Sequence, residues 1–263
     1  EYIYGTDFNN ACKLMKEIMN NKKKISDNWW DKNNTINFTL PYTKKSSLQR
    51  CIVRSNFENI NDQFVYPYSG IRNNTKIPEK FELNNNNGIF IGLFLAEGNI
   101  NNSHITITNN NESIRNFVKS WFDSYNIKYK ERVKINKLNG TTTTITGNSC
   151  IMSEFITKLV GSGAKNKYVP DEAFIAPKEF IIGLLNGYFS GDGYISNNSV
   201  EASSASKRLI EGINMLCSRL NIFGKVFTTI MKKNNINTKN ILPTHRISIR
   251  AQWGKIFAEK INL

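Results

Sequence analysis

Two stretches of this chain, FIGLFLAEG at residues 90–98 and LNGYFSGDG at residues 185–193, end in the same order of small residue, acid and glycine. Their acids, Glu97 and Asp192, stand 95 residues apart, and the same offset carries Gly88 to Gly183, Gly92 to Gly187, Ala96 to Gly191 and Asn126-Ile127 to Asn221-Ile222. An offset shared by so many special positions is the mark of an internal duplication. Within each copy the small residues recur at every fourth position, which on a helix makes one narrow stripe without side chains. Two such helices can approach backbone to backbone, because a missing Cβ lets main-chain atoms make dispersion contacts. Gly88, Gly92, Gly183 and Gly187 are therefore expected at a helix–helix interface.

An interface of that kind sets Glu97 and Asp192 side by side at the ends of the helices. Carboxylates held close repel unless a divalent cation lies between them, and oxygen ligands suit Mg²⁺. Two core helices that each end in an exposed acid would give the same pattern in a single copy. Two copies in register favour the paired arrangement.

The paired motif resembles that of the LAGLIDADG, or dodecapeptide, homing endonucleases, in the single-chain, two-motif form found inside inteins. The resemblance runs from Lys76 to the C-terminus and rests also on Lys76-Ile77-Pro78, on Asn166-Lys167-Tyr168-Val169-Pro170, and on a helix reading Ser206-Lys207-Arg208-Leu209 to Leu220-Asn221-Ile222. It implies an α/β (α+β) fold of two tandem αββαββα repeats about a pseudo-twofold axis. Their sheets would form a saddle over double-stranded DNA, with metal-dependent cleavage of both strands across the minor groove. On this reading Glu97 and Asp192 are catalytic and hold Mg²⁺, or Mn²⁺ or Ca²⁺ in the same place, with Ala96 and Gly191 beside them. Lys167, with Lys165 next, stabilises developing phosphate charge or orients water. The motifs depart from the family pattern at Leu95 and Glu97, where aspartates are common, and at Ser190. Glutamate still ligates Mg²⁺.

Charge agrees independently: 35 Lys and Arg against 21 Asp and Glu give a net +14, which points to a polyanionic partner. Charge alone leaves ribosomal, membrane-surface and histone-like roles open. With 40% hydrophobic residues the chain can build a core. No apolar run reaches the roughly 18 residues of a membrane-spanning helix, and residues 1–10 lack a signal-peptide pattern. The expectation is thus an intracellular monomer without a membrane partner, acting wherever the host gene's DNA resides, the nucleus included. Cys12, Cys51, Cys150 and Cys217 have no CxxC spacing and the histidines are His104 and His245 alone, so a zinc site is not expected. His245 sits in an alternating strand pattern and reads as solvated or DNA-facing rather than as part of a protease triad. The 39 asparagines suit turns and caps, while their excess reads as the imprint of an AT-rich coding genome.

Three segments follow: an N-terminal extension at 1–75, a first subdomain at 76–175 and a second at 176–263. The extension suggests a helix at Asn10 to Met19, a basic exit at Lys22 to Lys24, strands at Thr35 to Leu40 and Cys51 to Arg54, and a linker at Tyr66 to Gly70. It is a DNA-contacting region, a remnant of a splicing domain or a packing appendage; Trp29 and Trp30 could stack on bases. In the repeats, segments 103–108, 142–146, 225–230 and 245–250 read as strands with one packed and one free face. On the free faces or adjoining loops lie Lys128, Lys130, Arg132, Lys134 and Lys137 in the first copy, and Lys225, Lys232, Lys233, Lys239, Arg246 and Arg250 in the second. Their matching placement favours phosphate contacts and major-groove reading.

Neither Glu1-Tyr2 nor Ile261-Asn262-Leu263 matches a splicing junction, so the expectation is the endonuclease part of an intein without a complete splicing apparatus. Aligning Met152 with Trp253 gives Lys167 no counterpart, and unequal cutting of the two strands is expected. The rival readings are an RNA-binding intron maturase on the same scaffold and a noncatalytic DNA-binding regulator. Retention of both acids favours the nuclease.

Overall fold

The computed structural model describes residues 35–37, 52–55, 64–67, 77–78, 80–136, 140–196, 199–230 and 243–261. Five short strands come first: β1 (Thr35–Asn37), β2 (Ile52–Ser55), β3 (Phe64–Pro67), β4 (Ile77–Pro78) and β5 (Lys80–Glu82). The first repeat runs α1 (Asn85–Glu97), β6 (Gly98–Asn101), β7 (His104–Thr108), α2 (Glu112–Ser124), β8 (Tyr129–Asn136), β9 (Gly140–Asn148) and α3 (Cys150–Val160). After a 3₁₀ turn at Asp171–Phe174 the second runs α4 (Lys178–Asp192), β10 (Gly193–Ser196), β11 (Ser199–Ser204), α5 (Lys207–Arg219), β12 (Lys225–Ile230), β13 (Pro243–Arg250) and α6 (Gln252–Lys260). Each half is therefore αββαββα, the order that the resemblance implies.

Helix boundaries follow from local chemistry. The side chains of Asn84, Asn111, Ser149 and Ser206 accept from backbone N–H groups of the first turns of α1, α2, α3 and α5, satisfying donors that a helix start leaves unpaired. The duplicated Asn-Ile pair is a helix stop. Asn126 and Asn221 take left-handed φ of 53° and 57°, and the N–H groups of Ile127 and Ile222 return to the carbonyls of Phe122 and Cys217 at 2.8 and 2.9 Å. This is the Schellman arrangement, and asparagine tolerates its backbone better than most residues.

Each repeat holds one four-stranded antiparallel sheet, ordered β6-β7-β9-β8 and β10-β11-β13-β12. Ile105, Ile107 and Ile145 of the first sheet, and Val200, Ala202, Ile247 and Ile249 of the second, are buried in one continuous core with the helices. Strand alternation sends their neighbours to the opposite face. Phe90 of α1 stacks on Trp121 of α2 at 3.4 Å between ring centroids, and burying one such side chain stabilises by ~1.5–3 kcal/mol. The polar edge of this cluster is satisfied: Asn87 Oδ1 accepts from Trp121 Nε1 at 2.8 Å and from the Tyr125 hydroxyl at 3.1 Å, while its amide donates to the Glu82 carbonyl at 2.7 Å.

In the N-terminal part β1 pairs with β5, and β3 lies between β2 and β4, so strand pairing runs across residue 75. Tyr66 and Pro67, expected in a linker, belong to β3 and pair with Val53 and Ile52. The expected helix at Asn10 to Met19 and both Trp29 and Trp30 lie outside the described residues, as do Lys137, Lys232, Lys233 and Lys239.

Candidate active site and nucleic-acid face

Absent side chains set how closely α1 and α4 approach. A Cβ on Gly92 would fall on the Leu184 carbonyl oxygen and lie 2.6 Å from Tyr188 N; one on Gly187 would fall on the Ile89 carbonyl and lie 2.8 Å from Leu93 N. At Gly88 and Gly183 the same atom would stand 2.9 Å from Leu184 N and 3.1 Å from Ile89 N. The four glycines thus face the partner backbone, with Phe90, Leu93, Phe94, Phe180 and Leu184 buried around them. At the C-terminal end of the pair a Cβ on Gly191 would lie 2.6 Å from the Ala96 methyl and 3.3 Å from Glu97 Cγ.

That contact delivers both acids to one place. Glu97 and Asp192 line a cavity of about 400 Å³ with Lys167, Asn99, Ser203, Ser204 and Thr244. Burial pushes the Glu97 carboxyl above its ordinary pKa, against the opposing effects of a 2.7 Å hydrogen bond from Asn109 Nδ2 and the charge of Lys167. Asp192 is reached by solvent at the cavity mouth, yet enough protein surrounds its carboxyl that desolvation, then the charge of Glu97, push it up to about 7; Lys167 opposes this. Both carboxyls resist ionisation chiefly because burial strips them of water, and a cation beside them would offset that cost. The candidate ligands are oxygens only, at the C-terminal ends of two helices beside Ala96 and Gly191, where a helix leaves its last carbonyls without intrahelical partners. Among the described residues no group of three or more His, Cys, Asp or Glu is placed to hold a metal ion. The residues fit a hard cation that keeps waters or takes substrate oxygens beside one or two carboxylates, which is the habit of Mg²⁺.

Lys167 occupies a different place from the one expected. It is 5% exposed, and its Nζ donates to the carbonyls of Phe94, Leu95 and Gly98 at 2.7, 3.0 and 2.7 Å. An ammonium has three N–H donors, and all three close the C-terminus of α1. Burial lowers its pKa to about 8, with Asp192 and Glu97 pulling it back up, so it remains charged at neutral pH. Lys167, expected to stabilise developing phosphate charge or orient water, thus spends its N–H groups on the helix end that carries Glu97, while its charge acts on both carboxylates. Lys165 stands exposed in the preceding turn.

Opposite the helices, the two sheets present polar rows. In the first, Asn99, Thr106, Thr146 and Lys130 follow one another across β6, β7, β9 and β8, with Thr108, Thr144 and Arg132 in a parallel row and Thr142 beside Lys134. In the second, the equivalent row is Tyr194, Glu201, Ser248 and Lys225, flanked by Ser203, Arg246 and Phe227 and by Ser199 and Arg250. Lys128, Lys130, Arg132, Lys134, Lys225 and Arg250 are exposed. Arg246 is half-buried and its Nε has no partner among the described residues. His245 shares the parity of Ile247 and Ile249 and so belongs to the helix side, where its Nδ1 meets Thr228 Oγ1 at 2.9 Å. Sequence reasoning missed Asn109, Ser203, Ser204, Thr244 and Glu201. Asn109 carries no motif; only its place just after β7, beside the end of α1, reveals it.

The model of the LAGLIDADG-like domain matches residues 84–159 and 179–262, one stretch in each repeat. A DNA-directed RNA polymerase subunit Rpo1C of Methanocaldococcus jannaschii is 31% identical over 207 residues, which are 78% of this chain and 22% of that protein. A probable translation initiation factor IF-2 of the same organism is 28% identical over 256 residues, 90% of this chain and 21% of that protein. The chain thus spans about a fifth of the length of these curated relatives. Among solved structures, the crystal structure of I-DmoI in complex with DNA and Ca aligns with a TM-score of 0.51 and 11% identity, over 68% of this chain and 90% of that one. That likeness is one of fold. No helix among the described residues is long and apolar enough to cross a membrane.

Proposed function

The chain belongs to the family of LAGLIDADG-like domains, and on that premise we propose that it is a site-specific, divalent-metal-dependent endonuclease that cuts both strands of a long, asymmetric DNA duplex. The observation that carries the reading is the meeting of Glu97 and Asp192 at the foot of the glycine-lined helix pair, beneath two sheets whose free faces are basic and polar. Duplex DNA recommends itself because exposed lysines and arginines supply phosphate contacts, while the intervening Thr, Asn and Ser side chains suit base edges.

In this reading each repeat contributes one carboxylate and one sheet, so a monomer suffices. Glu97 and Asp192 would hold the cation, which when bound supplies Lewis-acid stabilisation of phosphate charge. Asn109 orients the Glu97 carboxylate. Lys167 holds the end of α1 so that the two acids keep their spacing. Arg246, paired with Ser203 across the sheet, adds positive charge to the same face. These parts supply positioning and electrostatics, the terms that phosphoryl chemistry draws on most.

We further propose that the chain is an intein-associated segment. A polymerase subunit and an initiation factor do unrelated work, yet each matches this chain over about a fifth of its length, as proteins sharing an inserted element would. Incubation with a supercoiled plasmid library carrying randomised inserts tests the nuclease reading. Linear product that needs Mg²⁺ and comes from a defined subset of inserts is expected; a library left intact in Mg²⁺ contradicts it.

A further inference from the structure

The two groove-facing rows are equivalent by strand register but differ in charge. Thr106 pairs with Thr146 across the first sheet, and Glu201, 95 residues on, pairs with Ser248 across the second. Where the first row offers two hydroxyls joined at 3.3 Å, the second offers a carboxylate. It is held in place from several sides. Glu201 Oε1 accepts from Ser248 Oγ at 2.9 Å and from Ser199 Oγ at 3.3 Å, and lies 3.6 Å from an Arg250 guanidinium nitrogen. Arg250 Nε in turn donates to Ser248 Oγ at 2.9 Å, and Ser248 is buried beneath the pair. The Arg250 side chain stays 70% exposed, while Glu201 Oε2 has no hydrogen bond among the described residues.

A carboxylate at the middle of a face otherwise furnished with Lys and Arg repels phosphate, so a phosphate contact cannot account for it. The groups on duplex DNA that suit such an acceptor are the exocyclic amines exposed in the major groove, above all N4 of cytosine. The guanidinium fixed alongside suits O6 and N7 of guanine, the other edge of the same pair. We propose that Glu201 and Arg250 act as one unit that reads a G·C pair in the arm of the DNA under the second sheet, and that the arm under the first sheet, facing Thr106 and Thr146, carries no equivalent requirement. The inference rests on the DNA-reading function argued above and names a determinant of its specificity.

Selection of binders from a randomised duplex pool in Ca²⁺, with the parent protein and with Glu201→Gln and Glu201→Ala, tests it. The parent is expected to require G·C at one position of one arm. Both variants should relax that position by about tenfold, within the range of one good side chain–base contact, and leave the other positions unchanged. The slope of log K on log salt should not move, because no phosphate contact is altered. An unchanged base profile in both variants overturns the proposal. So does tighter binding of every duplex with no change in preference, since that is the signature of an acid that merely repels DNA. A parent protein that enriches no duplex overturns the DNA-reading function itself, and the pair with it.

Discussion

The side-chain amide of Asn109 donates to Oε2 of Glu97 across 2.7 Å. In the second repeat the residue 95 positions on is Ser204, whose Oγ is occupied by the N–H of Ser206 at 3.1 Å. Of the two carboxylates, Glu97 is the one steadied by an amide among the described residues. Asn109→Ala should slow cleavage by about tenfold or more, the usual cost of losing a group that orients a metal-binding side chain. DNA affinity in Ca²⁺ should be unchanged. Single-turnover kinetics beside a binding titration separate the two, and equal losses in both would count against an orienting role.

The glycine stripe makes a stability prediction. Gly92→Ala and Gly187→Ala each force a methyl onto a backbone carbonyl of the facing helix, and overpacking of this kind costs about 1–3 kcal/mol. The Gly254 position in α6 has only the Ile249 carbonyl at 3.6 Å, so Gly254→Ala should stabilise by up to about 1 kcal/mol through helix propensity. Urea titration of the three variants checks the order; a stability loss at Gly254 matching that at Gly92 would refute the close crossing.

For Lys167 the expected consequence is structural before it is kinetic. Lys167→Met removes the donor from the carbonyls of Phe94, Leu95 and Gly98, and leaving buried acceptors unpaired should cost roughly 3 kcal/mol. Cleavage should fall together with the melting temperature. A variant that melts like the parent but no longer cuts would return Lys167 to a direct role at the phosphate.

Metal binding and pH should be linked through Asp192. Its carboxyl is held up to about 7 in the metal-free protein, above its ordinary value. For an acid with a raised folded-state pKa, the contribution to stability is complete below the unfolded value and is lost as pH rises through about 7. Ca²⁺ competes with that proton, so it should raise the melting temperature little at about pH 5 and clearly at about pH 8. Asp192→Asn should abolish the Ca²⁺ effect at both. A Ca²⁺ shift of equal size at the two pH values would contradict the site.

Much of the architecture was legible because it is written twice. The 95-residue offset exposed the helix pair and the acids at its foot, but that the repeated Asn-Ile pairs stop helices shows only in their left-handed φ and returning N–H groups. Other features were illegible for physical reasons. A lysine can carry charge to a phosphate or anchor a helix end, and the three carbonyls around Lys167 show in the structure alone. Asparagine's preference for turns and caps is general, but which of them cap a helix (Asn84, Asn111) and which take left-handed backbone (Asn102, Asn126, Asn221) shows only in the structure. Strand alternation showed which residues share a face but not which face is packed. His245, expected to be solvated or DNA-facing, shares the parity of buried Ile247 and Ile249 and stands half-exposed on the helix side.

The central claim is that Glu97 and Asp192 together make the cutting site, one from each repeat. It is tested most directly by following a duplex selected for binding, labelled on each strand, during incubation with Mg²⁺ and the parent protein, Glu97→Gln or Asp192→Asn. The parent should cut both strands, and each variant should bind the duplex with near-parent affinity but fail to produce the double-strand break. Full-rate cleavage of both strands by either variant, or a parent protein that binds the selected duplex in Mg²⁺ and leaves it whole, would contradict the account.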